Sequence, residues 1–424
     1  MSSDTRDRKG RPSIAVTGMG LVTSLGLGKL ESWKRLVAGQ SGIRAISRFP
    51  TDGLRTTIAG TVDFLDVCPM SAPALTIAMA EAAIAEALDQ SRLAGPAFPG
   101  PLFLATPPAE LEWPQRAALW QAGASEQLAG YGRLLAAARS GAHEEMARLF
   151  QFASVGEHLA ERFGTRGMPV SVTTACASGA SAIQLGVEAI RRGETGAALC
   201  VGTDSSVQIE ALIRFSLLSA LSTRNDAPQT ASRPFSKGRD GFVMAEGAAA
   251  LVLESYEDAR RRGATVLGFV LGCGEQADDY HRTRSKPDAS AIIGAIRNAI
   301  DDAGIAPESI DYVNAHGTST PENDKMEFVA LSSVLGARML ETPISSNKSM
   351  VGHTLSAAGA IEAVVSLLTM SNQMLPPTIN YAEPDPEIPL DVVPNEARPA
   401  KPRTVLSNSF GFGGQNVSLV LGAA

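Results

Sequence analysis

Two successive series of strand-like and helix-like segments constrain this chain more than any other feature of its sequence. In the first, a strand over residues 14–16 is followed by an alanine-rich helical stretch over 71–88 and a short strand through Val170 and Val172. A helix comes next, in which Ala180, Ile183, Val187 and Ile190 recur at three-four spacing, and strands over 196–202 and 248–253 complete the series. The second series has a strand over 265–272, a helix over 291–303, a strand over 310–313 and a helix over 357–370. Strands that keep alternating with helices build an α/β fold whose sheet is covered on both faces. Two such series of comparable length point to an internal duplication, with halves over 1–254 and 255–424 joined near residues 254–262. A chain of 424 residues can bury a large core, as one big domain or two fused units.

The formal net charge of −7 argues against a nucleic-acid partner. Cys68, Cys176, Cys200 and Cys273 lie far apart with no paired spacing, which disfavours a disulfide framework and a zinc site. The polar residues 1–11 do not resemble a signal peptide, and no apolar run reads as long enough to span a bilayer, so a cytoplasmic protein is expected. Residues 14–20 form a strand entering a glycine turn, as in a dinucleotide site, but Thr23 stands where the third glycine belongs. A turn packed against the nucleophile region is the better expectation. Residues 96–156, with Trp113, Trp120 and Tyr131, read as an insertion between strands whose aromatics serve core packing or a subunit contact.

The chemistry gathers in four loops. Thr173-Thr174-Ala175-Cys176-Ala177-Ser178-Gly179-Ala180 is a small-residue turn with a cysteine at the mouth of a helix. Unpaired backbone N–H groups and the helix dipole favour thiolate there, which makes Cys176 the candidate nucleophile. The alternative is a small residue packing a tight turn. Asn314-Ala315-His316-Gly317-Thr318-Ser319-Thr320-Pro321 puts a histidine directly after a strand, ahead of a helix expected to start near Asp324. Lys348 and His353 share a second loop, Ser345 to His353, ahead of an apolar helix. Cys176, His316 and His353 together fit the nucleophile-plus-base logic of acyl transfer. Glu362, on the apolar helix, is costly to bury unpaired, so Lys348, a monovalent cation or backbone donors are its expected partners, a surface position being the alternative. Finally, Ser407-Asn408-Ser409-Phe410-Gly411-Phe412-Gly413-Gly414-Gln415-Asn416 can bring backbone N–H groups close to a substrate, as an oxyanion hole needs.

The set TACASG, NAHGTSTPENDKME, NKSMVGHTLSAAGAIEA and NSFGFGGQN, in this order, resembles the signatures of β-ketoacyl-ACP synthases of the elongating, Cys-His-His type, from Ile14 to the last residues. The resemblance implies a thiolase-like fold of two duplicated α/β halves in five layers, α-β-α-β-α, and an acyltransferase acting in fatty acid biosynthesis. It implies that Cys176 takes an acyl chain from an acyl carrier protein as a thioester. His316 and His353 would bind the malonyl thioester carbonyl and stabilise the enolate left by carbon dioxide, which attacks the acyl group to give a 3-oxoacyl-ACP two carbons longer. By the same resemblance, Lys348 supports the electrostatics around His353. The N–H groups of Cys176 and Phe412 form the oxyanion hole, and Phe412 gates the acyl pocket. Thr318 and Thr320 would contact the phosphopantetheine arm and Phe215 would line the acyl tunnel. Asn314, Glu362 and Asn408 would surround a structural monovalent cation. No other metal and no cofactor is implied. Acyl-ACP and malonyl-ACP are the implied substrates, and a homodimer or a heterodimer with a paralogue the implied assembly.

Four departures from the family pattern bear on the substrate. Residues 104–113, Leu-Ala-Thr-Pro-Pro-Ala-Glu-Leu-Glu-Trp, replace a glycine-rich strand end, residues 68–73 are neutral where relatives are basic, Ser219 replaces an arginine, and Gln415 a threonine. They touch the dimer contact, acyl pocket and carrier-docking surface, which favours the alternative of a specialised or heterodimeric synthase for very-long-chain or polyketide-like chains. A thiolase would carry a second cysteine in the last glycine loop, an initiating synthase would be Cys-His-Asn, and an inactive chain-length partner would lack Cys176. A cysteine hydrolase would release free acid.

Overall fold

The computed structural model describes residues 5–68, 70–93, 95, 97–123 and 128–424. Pro69 in the neutral segment, Pro96 at the start of the insertion, 124–127 within it and residues 1–4 of the polar start lie outside the described residues.

The first half contains β1 (Ile14–Thr23), α1 (Ala72–Ser91), β2 (Leu102–Ala105), β3 (Val170–Val172), α2 (Ser178–Arg191), β4 (Ala197–Asp204), α3 (Ile209–Leu217) and β5 (Gly247–Ser255). The second contains β6 (Gly268–Ala277), α4 (Ser290–Ala303), β7 (Tyr312–Asn314), α5 (Pro321–Leu335), β8 (Ile344–Ser345), α6 (Ala358–Asn372), β9 (Thr404–Phe410) and β10 (Gln415–Gly422). Hydrogen bonds run through the strands in the order β8-β7-β9-β10-β6-β1-β5-β4-β2-β3. Each half therefore orders its own strands third, second, fourth, fifth, first. The directions repeat as well: β2 is parallel to β3 and β4, and β7 to β8 and β9, while the last two pairings of each half are antiparallel. The halves meet where β1 pairs antiparallel with β6, Ile14 opposite Val270.

Most of these strands are buried on both faces, so they read as apolar runs rather than as alternations. In β5, Ala249, Leu251 and Leu253 point into the layer holding α2 and α6, while Ala248, Ala250 and Val252 pack with α1. Residues of α4 and α5 cover the outer face of the second half. The layers are thus α1, first half-sheet, α2 with α6, second half-sheet, α4 with α5, the expected five. At the centre, α2 and α6 touch backbone to backbone: a Cβ on Gly179 would lie 2.5 Å from the Ala360 nitrogen, and one on Gly359 2.6 Å from the Ala180 nitrogen.

Three expectations need correction. One stretch, Leu355–Asn372, is long and apolar enough by composition to cross a membrane, but 89% of it is buried as the central helix. The strand expected over 265–272 lies at 268–277, and α5 begins at Pro321 rather than near Asp324, because Thr320 accepts from the Asn323 N–H (3.2 Å) as its N-cap. Of the two readings of the insertion's aromatics, a subunit contact and core packing, exposure removes the second: Trp113 is 67% and Tyr131 73% exposed. They line a cavity of about 960 Å³ between helices Trp113–Ala122 and Tyr131–Arg139, where the Arg133 guanidinium lies 4.3 Å from the Trp120 ring centre.

Candidate active site

Cys176 sits at a strained corner between β3 and α2. Ala175 before it adopts φ 49, a left-handed conformation costly for a residue with a Cβ. The corner is held by the Thr174 N–H donating to Ser178 Oγ (2.8 Å) and by Ser178 Oγ donating to the Ala175 carbonyl (2.6 Å). The thiol is 8% exposed, at the base of a cavity of about 540 Å³ also reached by His316, His353, Thr318, Phe215 and Phe412. Thr320 stands on the same wall, its Oγ 2.8 Å from that of Thr318, and Phe215 meets Phe242 edge to face at 5.4 Å.

His353 Nε2 lies 3.1 Å from Cys176 Sγ, and the two imidazoles stand nearly perpendicular with centres 5.3 Å apart. A ligand atom of each of Cys176, His316 and His353 lies within 4.8 Å of the others. The sequence's three candidates are therefore one cluster, drawn from both halves of the chain. The loop before α6 is pinned to the first half by the His353 N–H donating to the Val243 carbonyl (2.7 Å) and the Ala245 N–H donating to the His353 carbonyl (2.9 Å).

Behind His316, Lys348 Nζ donates to its carbonyl (2.7 Å), lies 3.5 Å from its Nδ1 and pairs with Glu362 Oε1. A cation beside Nδ1 leaves that nitrogen unprotonated and puts the ring hydrogen on Nε2, facing the cavity. The Lys348 ammonium and the Glu362 carboxylate are both buried, so Glu362 meets the expected partner rather than the surface. Lys348 thus serves His316 at least as directly as His353, the histidine that the resemblance linked to it.

Glu327 has no role assigned from sequence, yet it fixes this loop. Its carboxylate accepts from the His316 N–H (2.9 Å), the Gly317 N–H (2.8 Å) and Asn408 Nδ2 (3.1 Å). The signal that would have found it is a glutamate eleven residues after His316, on the first turns of the following helix. Asp204, at the end of β4, likewise accepts from the Ser356 N–H (3.0 Å) and ties the start of α6 to the nucleophile's half.

Burial sets the protonation states. It pushes the Cys176 thiol from an ordinary 9.0 up to about 12, with the Lys348 charge and the Phe412 N–H pulling the other way. That rise corresponds to ~4 kcal/mol, against ~2 kcal/mol at best from a helix N-terminus. The expectation of a resting thiolate is therefore corrected: burial outweighs the dipole, and the thiol proton needs an acceptor, for which His353 Nε2 is in place. Burial, with the Lys348 charge behind it, also holds both imidazoles well below 6.5, so both are neutral. Glu327 and Glu362 are each raised to about 7 by burial, against the donors around Glu327 and Lys348 beside Glu362.

The three residues implied for a monovalent cation fall into two linked clusters. Asn314 donates to the Glu362 carbonyl (3.0 Å) and accepts from Asn347 (3.1 Å), while Asn408 donates to Glu327 and accepts from Ser418 (2.9 Å). Glu362 Oε2 is buried without a hydrogen-bond partner among the described residues, which makes it the oxygen free to take a cation.

Two family models match the chain. The one described as "Beta-ketoacyl synthase, N-terminal domain" matches residues 11–90 and 115–259, and "Beta-ketoacyl synthase, C-terminal domain" matches 267–382. The chain is 37% identical over 420 residues to 3-oxoacyl-[acyl-carrier-protein] synthase 2 of Coxiella burnetii, covering 96% of this chain and 98% of that one. It resembles a chain of a solved complex of a type II PKS acyl-carrier protein with its ketosynthase bound to the hexaketide (TM-score 0.85, 32% identity, 98% and 100% of the two chains). It also resembles the ishigamide ketosynthase/chain length factor (TM-score 0.81, 33% identity, 98% and 100%). With both halves matched and relatives alike along their whole length, this chain, thiolase-like in fold, belongs to the β-ketoacyl synthase family.

Proposed function

We propose that this condensing acyltransferase joins a Cys176-bound acyl chain to a malonyl unit delivered on an acyl carrier protein. The observation that carries the reading is the Cys176 thiol 3.1 Å from His353 Nε2 with a second neutral imidazole beside it, at the base of a cavity. In the first step Sγ attacks the acyl thioester carbonyl, its proton passes to His353 Nε2, and the carrier thiol leaves with that proton. In the second, with His353 shifted to its other neutral tautomer, ring hydrogen on Nε2, malonyl thioester places its carbonyl oxygen between the Nε2–H groups of His316 and His353. The bond to the carboxylate breaks, carbon dioxide leaves, and the electron pair becomes an enolate held by the two donors. The enolate carbon then attacks the acyl carbonyl. The Cys176 and Phe412 N–H groups bind the oxyanion, and collapse expels the Cys176 sulfur as thiolate, which regains its proton from water, with a 3-oxoacyl product two carbons longer.

Neutral imidazoles suit this division of labour, since an enolate needs hydrogen-bond donors and the thiol a base. Lys348 and Glu327 act as positioning residues that fix the tautomer and backbone of His316. Thr318 and Thr320 hold the pantetheine arm, Phe215 lines the acyl channel and Phe412 gates it. A monovalent cation, where bound, would take Glu362 Oε2, since the amide oxygens of Asn314 and Asn408 already accept from Asn347 and Ser418, and would steady the helix behind the His316 loop. Residues 1–254 and 255–424 serve as the two halves, and the enzyme works in the cytoplasm as a homodimer or paired with a paralogue. Replacing either histidine with alanine should slow malonyl decarboxylation about a hundred- to a thousandfold, the loss typical of one oxyanion donor, while acylation of Cys176 suffers less. Equal losses of both steps would instead mark a hydrolase-like dyad.

The second reading, a specialised synthase subunit, rests on the exposed aromatic face of the insertion and on the departures over 104–113. Mass spectrometry of products from a panel of acyl carriers with malonyl carrier separates it from housekeeping elongation.

A further inference from the structure

Residues 68–73 and Ser219 lack the cations that the family resemblance led us to expect, yet the cavity mouth is not bare. Its wall carries Arg282 and Arg284, on the loop between β6 and α4. Both guanidinium groups are exposed, and neither makes an ion pair or a side-chain hydrogen bond among the described residues. The neighbouring charges are largely spent: Lys286 faces Asp279 (3.7 Å), Lys325 faces Glu387 (3.0 Å), and the Asp278 carboxylate accepts from the Tyr280 and Lys286 N–H groups (2.9 and 2.8 Å). Glu322 lies on the same wall but in the first turn of α5, where the helix N-terminus offsets its charge.

The loop is not a loose arm. The Gly413 N–H donates to the Arg282 carbonyl (2.8 Å) and the Asp278 N–H to the Gly414 carbonyl (2.7 Å), so the two arginines ride on the same turn that presents Phe412. Thr318 and Thr320, which would meet the pantetheine chain, line the cavity between this mouth and Cys176. A thioester threaded to the thiol leaves the far end of its arm, where the phosphodiester lies, at the mouth. Guanidinium is the side chain best matched to a phosphate, through two parallel N–H contacts.

We propose that Arg282 and Arg284 form the receptor for the phosphate of the carrier's phosphopantetheine arm. This rests on the reading of Cys176 as the acyl acceptor. The test follows acylation of Cys176 by intact-protein mass spectrometry with three donors: octanoyl-pantetheine, octanoyl-4′-phosphopantetheine and octanoyl-acyl carrier protein. In wild type the phosphorylated arm should outperform the bare arm. In Arg282→Ala/Arg284→Ala that preference should fall roughly ten- to thirtyfold, a range set by partly solvated charge-assisted contacts, and added salt should erode the wild-type preference in the same direction.

A preference unchanged in the variant overturns the proposal. So does a defect seen with the carrier donor alone, which would put the arginines against carboxylates of the carrier protein. A loss equal across all three donors also overturns it, as a structural effect. Arg282→Lys/Arg284→Lys, which keeps the charge but not the paired N–H contacts, should retain a preference between those of wild type and the alanine variant. A wild type that none of the donors acylates at Cys176 defeats the proposed function itself, an outcome distinct from acylation without phosphate preference.

Discussion

At Cys176 the outcome turns on a contest between burial and backbone dipoles that burial wins, and this can be read in alkylation kinetics. With the thiol at about 12, its inactivation by iodoacetamide should rise about tenfold per pH unit from about pH 7 to about pH 10 without levelling off. The sign follows from the raised value: the group is neutral at low pH and becomes nucleophilic only as pH climbs. A plateau near neutrality would reveal a standing thiolate–imidazolium pair instead. Cys176→Ala should abolish condensation, with mass spectrometry locating acyl transfer at Cys176 and not at Cys68, Cys200 or Cys273. The buried pair behind His316 gives another test. Lys348→Met leaves the Glu362 carboxylate uncompensated and should cost ~3–5 kcal/mol of stability in denaturant melts, whereas Lys348→Met/Glu362→Leu should recover much of the stability and none of the decarboxylation rate. The nucleophile, both histidines and the lysine were legible in sequence because short loops of small residues surround them. Glu327 and Asp204 were not, because their partners are backbone N–H groups of loops that only the fold brings near.

The elements themselves follow the hydrophobic pattern where side chains decide, and depart from it where the backbone does. Helix α2 was legible because its apolar positions recur at helical spacing against a packed layer. Strand β6 was misplaced because its last residues, Glu275 and Gln276, are polar and owe their place to ladder partners Val417 and Asn416 on β10. The start of α5 carried a readable cap, Thr320 before Pro321, which the run of small hydroxyl residues disguised. The contact between α2 and α6 is a third case, since glycine in a helix reads as a weakness until the neighbouring backbone is seen. With the Ala360 and Ala180 nitrogens only 2.5 and 2.6 Å from where the Cβ atoms would go, Gly179→Ala and Gly359→Ala should each destabilise by about 1–3 kcal/mol. They should also lower the acylation rate, because α2 positions Cys176 and α6 follows His353. A fully active, equally stable Gly179→Ala variant would show that the central layer can part without moving the thiol.

On the scale of the whole molecule, two exposed features ask for a second chain. β3 is the outermost strand of the first half, so its free edge lacks a ladder partner, and Met168 (79% exposed) and Val170 (41%) present apolar side chains there. Unprotected strand edges and large apolar patches are seldom left to water. The insertion adds Trp113 and Tyr131 around its own cavity; Trp113 falls in the stretch 91–114 that the N-terminal family model leaves unmatched, while Tyr131 lies in the stretch matched again from 115. In the proposed dimer an edge strand of this kind would serve a twofold pairing whether the partner is identical or a paralogue, whereas the aromatic cavity is where the two cases would differ. If the proposed dimer forms along this edge, Met168→Arg/Val170→Lys should give monomers in analytical ultracentrifugation with either partner. Trp113→Ser/Tyr131→Ser should weaken assembly with the cognate partner more than self-association. The decisive measurement is turnover by the purified chain alone: activity on ordinary medium- and long-chain acyl carriers at rates on the order of one to a thousand per second would make it a self-sufficient elongating synthase. Activity that appears only when a paralogous chain is co-purified would make the insertion a partner-selecting face and the protein a specialised synthase subunit.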